Sequence, residues 1–293
     1  MCRWMAWFGQ PVPIEELLFK TQHGIVDQSL HSRMGAEPTN GDGFGLGWYG
    51  GGKGPAVYHS VAPAWGDANL RELAAHVESP LFLAHVRAAI GSPVQQTNCH
   101  PFRHGRWLFV HNGYIGDFHT IRRDLMLAID PGLFADITGS TDTEVVFRLA
   151  LTFGLEDDPI QALERTVGLI EATATARGVA PLVQGTFGVS DGDSLWAVRY
   201  ATEGRARSLF ASADVATVRQ LAPDNPRVAH LADDDRVIAS EPFAELPGGW
   251  HEIDESSAVI VRRGGVLEQL RFRPQGAAAI DVPAAATART ADA

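Results

Sequence analysis

The segment that follows the first residue places the strongest constraint on the fold. Residues 2–9 read CRWMAWFG, a run of apolar and aromatic side chains with imperfect alternation. Such a run predicts a largely buried β-strand that starts at the second residue. Chain ends normally lie at the surface unless something ties them down. The sequence therefore places the N-terminus inside the structure, and a functional chain end is one reason for that placement.

The composition is that of an ordinary folded protein, with 45% hydrophobic and 20% charged residues in 293. A formal charge of −11 without any Lys/Arg run argues against a nucleic-acid partner. No stretch approaches about 18 consecutive apolar residues and no secretory signal is apparent, so we expect a cytoplasmic protein without a membrane segment. Two cysteines, Cys2 and Cys99, are too few for a disulfide framework.

Predicted strands and helices come in runs rather than in strict alternation. The hydrophobic patterns predict strands over residues 2–9, 43–49, 56–60, 81–86, 107–111, 184–190, 194–200, 208–211 and 236–240, with a hairpin around 264–265. They predict helices over residues 69–77, 118–129 and 159–177, and one that opens at Thr141. This order favours an α+β fold with antiparallel sheets. Residues 275–293 are mostly Ala, Pro, Thr and Asp, which predicts a disordered tail after one domain over residues 2–274.

Cys2 is the first candidate for chemistry. It becomes the first residue if an aminopeptidase removes Met1, as is usual when the next side chain is small. A thiol with a pKa near ~8.5 is a poor nucleophile at neutral pH, but an α-amine with a pKa near ~7.7–8.0 is matched to take its proton. The alternative is that Cys2 is a small buried hydrophobic residue that happens to follow the initiator.

Two charged residues are candidates for substrate binding. Arg87 ends a predicted strand, where a guanidinium can bind a carboxylate in a bidentate manner. The alternative for Arg87 is a structural ion pair with a neighbouring acid. Thr141 and Glu144 have capping-box spacing, which puts Asp142 in the first turn of a helix and holds it rigidly enough to bind an ammonium group. The alternative for Asp142 is an acid favoured there by the helix dipole.

Asn112 and Gly113 directly follow a predicted strand and allow two interpretations. An Asn-Gly pair is a common tight turn. It is also a good oxyanion hole, because the Asn amide and the next backbone N–H can both point at one developing negative charge. His100 in the segment NCHPF is either catalytic or part of a hydrogen-bonded structural turn, and the sequence favours the structural role.

The sequence argues against two further kinds of site, a phosphate-binding loop and a zinc site. The glycine-rich residues 40–54 lack the spacing of a phosphate-binding loop, so their alternate glycines indicate close approach to a ligand or a strand. A zinc site fits no standard ligand spacing, and its candidate ligands are Cys99, His100, His104 and His111. No metal is therefore expected.

Five short segments together resemble class II glutamine amidotransferases in order and spacing. They are Cys2, residues 85–87 (HVR), 98–101 (NCHP), 111–113 (HNG) and 140–144 (STDTE). The match spans residues 2 to about 154, and the SEPF segment at 240–243 with the hairpin after Trp250 is similar to the compact, stand-alone branch of that family. The resemblance implies a four-layer αββα N-terminal-nucleophile sandwich with antiparallel sheets.

The resemblance also implies roles for particular residues. Cys2 would be the nucleophile, and Asn112 with the Gly113 N–H would form the oxyanion hole. Arg87 would bind the α-carboxylate of the substrate and Asp142 its α-ammonium group. No metal or organic cofactor would be required.

Other matched positions would support this site. His100 would lie near it, and Asp42 and Gly43 belong to the glycine-rich strand that is similar to the family's strand beside the nucleophile. The chain departs from the synthase members at Ile90 and Gly91, where those members carry Thr and His that help to hold the substrate.

The reaction implied is cleavage of the γ-amide of glutamine or of a γ-glutamyl conjugate through a γ-glutamyl thioester, giving glutamate and ammonia or an amine. Stand-alone relatives include hydrolases of γ-glutamyl conjugates, among them the ergothioneine-pathway type. One alternative is a glutaminase subunit that delivers ammonia to a separate synthase, since no acceptor domain follows in the sequence. The other is a non-enzymatic γ-glutamyl sensor. The leaving group, the pathway and the oligomeric state stay open.

Overall fold

The computed structural model describes residues 2–35, 38–52 and 54–276. Its strands are β1 Arg3–Pro13, β2 Phe44–Trp48, β3 Ala56–Ser60, β4 Glu78–Val86, β5 Phe102–His104, β6 Trp107–Ile115, β7 Val183–Ser190, β8 Ser194–Ala201, β9 Phe210–Ser212, β10 Arg236–Ala239, β11 Trp250–Glu252, β12 Ser257–Arg262 and β13 Val266–Arg271. Its helices are α1 Glu15–Leu18, α2 Ile25–Leu30, α3 Ala68–His76, α4 Phe118–Leu127, α5 Pro131–Phe134, α6 Asp142–Thr152, α7 Pro159–Ala176, α8 Val215–Leu221 and α9 Pro226–Ala229.

Each predicted strand and helix is present, but several boundaries differ. β1 continues to Pro13 and β4 begins at Glu78, both beyond the predicted ends. β6 continues to Ile115, so the prediction that this strand ends before the Asn-Gly pair is wrong. The predicted tail lies outside the described residues from 277 onward, whereas the N–H of Gln275 still donates to the carbonyl of Glu164 in α7 (3.1 Å).

The strands form two antiparallel sheets. One has seven strands in the order β11-β9-β10-β1-β4-β2-β3, and the other has six in the order β13-β12-β8-β7-β6-β5. β1 lies inside the larger sheet with β10 on one edge and β4 on the other. Helices α1 to α3 cover the outer face of the larger sheet, and α4, α6 and α7 cover the outer face of the smaller one. The predicted four-layer αββα sandwich is therefore confirmed.

Alternation along β1 explains how the two sheets come to face each other. Side chains of a strand point to opposite faces in turn. Trp4, Ala6 and Phe8 belong to the core between the sheets, whereas Met5 and Trp7 belong to the core beneath α1 to α3. Since both faces are buried, the whole start of the strand is apolar, which is the pattern visible in the sequence.

Trp4 ties the two sheets together. Its Nε1 donates to Oγ1 of Thr186 on β7 (2.9 Å), so the polar atom of a fully buried indole is paired across the layer. Gly188, two residues further along β7, leaves room for this ring, because a Cβ there would lie 3.0 Å from the indole carbons and 2.7 Å from Val110. The indole thus fixes how β1 lies over β7.

The longest helix, α7, begins where its sequence predicts. Asp158 caps it by accepting from the N–H of Gln161 (3.0 Å), and Pro159 occupies the first turn, where no N–H is needed. Its inner face, which includes Leu163, Val167 and Ile170, packs on the smaller sheet. Across the described ranges, no helix has both the length and the apolar character needed to span a bilayer.

Leu83→Ala tests how much the core between the two sheets contributes to stability. Leu83 is fully buried there, so loss of its side chain should lower the free energy of unfolding by about 2–5 kcal/mol. The same substitution at Leu127, which is 63% exposed on α4, should change it by less than about 0.5 kcal/mol. Urea unfolding of both variants measures the two values, and equal losses would contradict this description of the core.

Candidate functional site

Strand alternation brings Cys2 and Asn112 to the same cleft between the sheets. Cys2 immediately precedes β1 and lies two residues before Trp4. Both side chains therefore point to the same face of the strand, towards the layer between the sheets. The hydroxyl that Trp4 contacts belongs to Thr186, and Thr186 pairs directly with Asn112 across β7 and β6. Residues directly opposite each other in an antiparallel pair share a face. The two side chains, 110 positions apart in sequence, therefore face one cleft.

The Cys2 thiol lies beside the end of β4, where its Sγ donates to the carbonyl of Ala88 (3.6 Å). Burial raises the pKa of this thiol, while a backbone hydrogen bond at Ala88 and the charge of Arg87 lower it and the charge of Asp142 raises it. Arg87 and Asp142 are thus both close enough to act on the sulfur. A thiol with a raised pKa is protonated at neutral pH, so it needs a base before it can attack.

Cys99 has the surroundings of an inert thiol. It is buried, and its Sγ lies 3.4 Å from the carbonyl oxygen of Ser60 and 3.7 Å from that of Gln95. Burial raises its pKa to about 11. Gly43 leaves room for it, because a Cβ there would lie 2.9 Å from the sulfur. Of the two cysteines, only Cys2 faces the cleft with access to solvent.

Arg87 is buried just after β4 with neutral hydrogen-bond partners. Its guanidinium donates to Ser92 Oγ (2.7 Å) and to the carbonyl oxygens of Pro93 (3.2 Å) and Asp42 (3.4 Å). Among the described residues no carboxylate pairs with it, so the alternative of a structural ion pair is wrong for this part of the chain. A buried cation held only by neutral acceptors is costly unless an anion joins it.

Asp142 lies in the first turn of α6, as predicted. Thr141 Oγ1 accepts from the N–H of Glu144 (3.2 Å), but the Glu144 carboxylate accepts from the N–H of Gly139 (2.7 Å), so only half of the predicted capping box forms. Asp142 itself accepts from the N–H of Ile115 at the end of β6 (2.9 Å). No Lys or Arg in the described ranges pairs with Asp142, which leaves its charge available to a cationic ligand.

Asn112 and Gly113 lie within β6, opposite Thr186 and Gly185, so the interpretation as a tight turn is wrong. Gly113 is required by the close approach of β7, because a Cβ there would lie 1.9 Å from the carbonyl oxygen of Gln184. The Asn112 side chain is 1% exposed, and its Oδ1 has no partner in the described structure. An unpaired buried amide oxygen in the nucleophile's cleft is unusual, since buried polar groups are normally hydrogen-bonded.

His100 lies in a buried cluster next to the cleft. Its ring packs against His85 (centroids 4.1 Å apart) and Phe102 (4.9 Å), and its Nδ1 accepts from the N–H of His111 (3.4 Å). Burial lowers the pKa of His85 to about 3 and the pKa of His100 well below its usual value, so both rings are neutral. These contacts are those of a supporting residue, and contact of His100 with a substrate stays a prediction.

Asp42 and Gly43 hold the backbone that carries Arg87. The Gly43 carbonyl accepts from the N–H of Arg87 (2.8 Å), and the N–H of Asp42 donates to the carbonyl of Arg87 (3.0 Å). The Asp42 carboxylate accepts from the N–H of Ala89 (2.8 Å). These two residues position the loop after β4, and their direct contact with a substrate stays a prediction.

An ion pair not foreseen from the sequence holds Cys2 from behind. Arg3 Nε donates to Glu241 Oε1 (2.6 Å), and Arg3 Nη1 donates to the carbonyl of Cys2 (2.8 Å). Burial alone would raise the pKa of the Glu241 carboxyl, but hydrogen bonds from His23 and the Arg33 N–H, with the charge of Arg3, hold it well below its usual range. The adjacent Cys-Arg dipeptide and the SEPF segment are its only signals in the sequence.

One large cavity lies away from the predicted site residues. A cavity of about 720 Å³ lies on the helix side of the larger sheet, near Trp7, Val228 and Trp250, and none of the predicted site residues lines it. The described residues also contain no group of three or more His, Cys, Asp and Glu side chains arranged to hold a metal ion.

The αββα sandwich, with its first strand starting next to Cys2 inside the larger sheet, defines an N-terminal-nucleophile fold. A sequence profile described as class-II glutamine amidotransferases matches residues 20–278. The chain belongs to the class II glutamine amidotransferase family.

Several relatives resemble the chain over most of its length. It is 33% identical to the probable glutamine amidotransferase DUG3 of Saccharomyces cerevisiae, over 91% of this chain and 83% of the relative. It is 35% identical to the γ-glutamyl-hercynylcysteine sulfoxide hydrolase of Mycobacterium tuberculosis, over 94% and 99%. Among solved structures, a glutamine aminotransferase class-II domain protein from Silicibacter pomeroyi superimposes with a TM-score of 0.69 at 32% identity, over 93% and 100%. The PRPP amidotransferase of B. subtilis shares the fold alone (TM-score 0.61, 16% identity, 94% of this chain and 50% of that one).

Glu241→Gln should expose the contribution of the ion pair behind Cys2. Removing one partner of a buried pair costs roughly 3–5 kcal/mol, so we expect that loss in the free energy of unfolding at pH 7. Folding lowers the pKa of Glu241, so its contribution is fully present above the unfolded value near ~4.3 and is lost as the pH falls towards the folded value. The difference between wild type and variant should therefore shrink below about pH 4 to 5.

Glu245→Gln is the matched control, because Glu245 pairs with Arg33 at the surface and its side chain is 82% exposed. A surface pair contributes about 0–1 kcal/mol. Urea unfolding at several pH values compares the two variants, and similar, pH-independent losses would show that Glu241 has no special role.

Proposed function

We propose that the protein hydrolyses the γ-amide of a γ-glutamyl compound with Cys2 as its nucleophile. The observation that carries this proposal is the shared cleft of Cys2 and Asn112, with Arg87 and Asp142 beside the thiol and each without an ion-pair partner in the described structure. A thiol, an amide donor and two opposite charges are what an amidohydrolase for an amino acid side chain requires.

The two charges favour a γ-glutamyl head with free α-groups. A zwitterionic head presents a carboxylate and an ammonium group on one carbon, and Arg87 and Asp142 offer one complement to each. Acylation of the α-amine would remove the partner of Asp142. Hydrolysis of a γ-glutamyl conjugate is also the activity named for the 35% identical relative from Mycobacterium tuberculosis, which supports this substrate class.

In the proposed reaction, removal of Met1 leaves the α-amine of Cys2 free. This amine takes the thiol proton, and the sulfur attacks the γ-carbonyl carbon to form a tetrahedral intermediate. The carbon–nitrogen bond then breaks, the leaving amine takes the proton from the α-ammonium group, and a γ-glutamyl thioester remains. Water adds to the thioester as the α-amine of Cys2 accepts its proton. The carbon–sulfur bond then breaks, and the sulfur takes this proton back from the α-ammonium group to give glutamate and the free thiol.

Asn112 and Gly113 are assigned to the oxyanion that both tetrahedral intermediates carry. The Asn112 side chain is buried in the cleft, its Oδ1 has no partner in the described structure, and its Nδ2 is the donor that we assign to the oxyanion. Preorganised donors of this kind typically contribute 10²–10³-fold in kcat. The raised pKa of the Cys2 thiol explains why a base next to the sulfur is needed at all.

Cys2→Ala should abolish hydrolysis of γ-glutamyl compounds, with a loss on the order of 10⁶-fold in favourable cases because the covalent route disappears. Cys99→Ala, the matched control, should keep turnover largely intact, since the Cys99 thiol is buried and burial raises its pKa to about 11. Intact mass should show that the active protein begins at Cys2, and rapid acid quenching should trap one γ-glutamyl group on the wild type.

Other results would support the alternatives or overturn the proposal. Tight binding of γ-glutamyl compounds without turnover would indicate a sensor, and turnover that appears only with a co-purified synthase would indicate a glutaminase subunit. Full activity with Met1 retained would exclude the α-amine as the base. A loss at Cys99 as large as that at Cys2 would mean that the wrong thiol has been chosen.

Asp142→Asn should weaken recognition of the α-ammonium group. A charge-assisted hydrogen bond contributes roughly 1.5–3 kcal/mol, so kcat/KM for glutamine should fall by about tenfold or more. N-acetylglutamine, which lacks the ammonium group, should be a poor substrate for the wild type and should be discriminated against much less by the variant. Steady-state kinetics with both compounds measures this ratio.

Asp157→Asn is the control, because Asp157 is an exposed acid in the turn after α6 and should leave the ratio unchanged. If the wild type turned over glutamine and N-acetylglutamine with equal kcat/KM, the assignment of Asp142 to the α-ammonium group would fail, while Cys2 could still be the nucleophile for another amide.

A further inference from the structure

Extending the strand register of the larger sheet places Arg207 level with Cys2. Met5 of β1 pairs with Ala239 of β10, and Ala239 pairs with Phe210 of β9. β1 and β9 run in the same direction on either side of β10. Cys2 lies three residues before Met5, and Arg207 lies three residues before Phe210, so the two occupy equivalent positions on either side of β10. Both are therefore at the same end of the sheet.

Hydrogen bonds keep this pairing beyond the ends of the strands. The N–H of Ser240 donates to the carbonyl of Trp4 (2.9 Å), and Oγ of Ser208 donates to the carbonyl of Ser240 (2.8 Å). The segment before β9 thus stays beside the segment after β10. Two strand spacings separate Cys2 from Arg207, which amounts to about 10 Å.

Alternation directs Arg207 into the same cleft as Cys2. Leu209 and Ala211 belong to the core between the sheets, and Arg207 has the same parity. Tyr114 has the parity of Asn112 on the opposite sheet, and its electrostatic interaction with Arg207 agrees with this direction. Alternation therefore places the guanidinium at the cleft.

The position of Arg207 is opposite to that of Arg87. In the larger sheet the order is β9, β10, β1 and β4, so the segment with Arg207 and the segment with Arg87 flank Cys2 on different sides. If Arg87 binds the α-carboxylate of the γ-glutamyl head, the other side of the sulfur receives the leaving amine. Arg207 is thus a neighbour of the leaving group.

Arg207 has no ion-pair partner among the described residues. In the part of the chain that the structure describes, no carboxylate pairs with its guanidinium, and its Nε is buried without a hydrogen bond. The Oε1 atom of Gln184, which lies opposite Tyr114 on β7, is also buried without a partner. A cation and an acceptor left unpaired at one rim of a cleft match a ligand that carries an anion and an N–H group.

We propose that Arg207 binds a carboxylate on the amine side of the scissile bond, so that the preferred substrates are γ-glutamyl amino acids or peptides rather than glutamine. This inference rests on the proposed function and names its leaving group. Gln184 would accept from an N–H of that leaving group, and the carboxylate would be held by the guanidinium fork. Glutamine, which releases ammonia, would leave Arg207 unpaired.

The test compares γ-glutamylalanine with γ-glutamylalaninamide, which are nearly equal in size and differ in the terminal charge. We expect the wild type to favour the acid by about tenfold or more in kcat/KM, since a charge-assisted hydrogen bond contributes at least that factor. Arg207→Gln should bring the ratio of the two values close to one, and Arg207→Lys should restore part of it. Arg205→Gln is the control, because the Arg205 side chain is 83% exposed, and it should keep the wild-type ratio.

The outcomes separate this inference from the proposed function. Cys2-dependent hydrolysis of both compounds at equal kcat/KM by the wild type would overturn the role of Arg207 and leave the proposed function standing. Hydrolysis of neither compound, nor of glutamine, would overturn both. The wild-type ratio needs no variant, so a folding defect in Arg207→Gln would not remove the test, and Arg207→Lys then supplies the comparison.

Discussion

The burial of the chain start within the larger sheet is the constraint on which the rest of the structure depends. β1 is paired on both edges and covered on both faces, so nearly every residue of its first half is apolar. One polar atom in this stretch, the indole N–H of Trp4, is satisfied across the layer by Thr186. That single hydrogen bond sets β1 over β7, and alternation then determines which residues of both strands share the cleft with Cys2.

Much of the fold could be predicted because it depends on local patterns. Local sequence was enough to predict three features: the strand in the apolar run after Met1, the short alternating strands and the helix start at Thr141. The candidate site residues were likewise visible as short motifs. These motifs could not give the set of partners. That the acceptors of Arg87 within the described residues are all neutral depends on a loop whose path the pattern does not specify.

The features that escaped prediction involve distant segments or conflicting local signals. Asn112-Gly113 has the composition of a turn, yet β6 continues through it because β7 approaches so closely that only glycine fits at 113. The pairing of Arg3 with Glu241 joins residues 238 positions apart. A contact between residues so far apart cannot be predicted from a local sequence pattern. Arg207 escaped for the same reason, since its relation to Cys2 passes through two strand pairings.

The pairing of Arg3 with Glu241 has a consequence for the order of events during synthesis. During synthesis the N-terminus leaves the ribosome first, and each part of the fold can form only when the segments that it contacts have emerged. β1 cannot complete its pairing until β10 and the segment at 241 have been made, which is more than four-fifths of the chain. Until then one edge of β1 has no partner, and a ribosome-bound fragment lacks the ion pair of Arg3 and Glu241 behind Cys2. In the proposed mechanism, removal of Met1 can therefore precede completion of the site around Cys2.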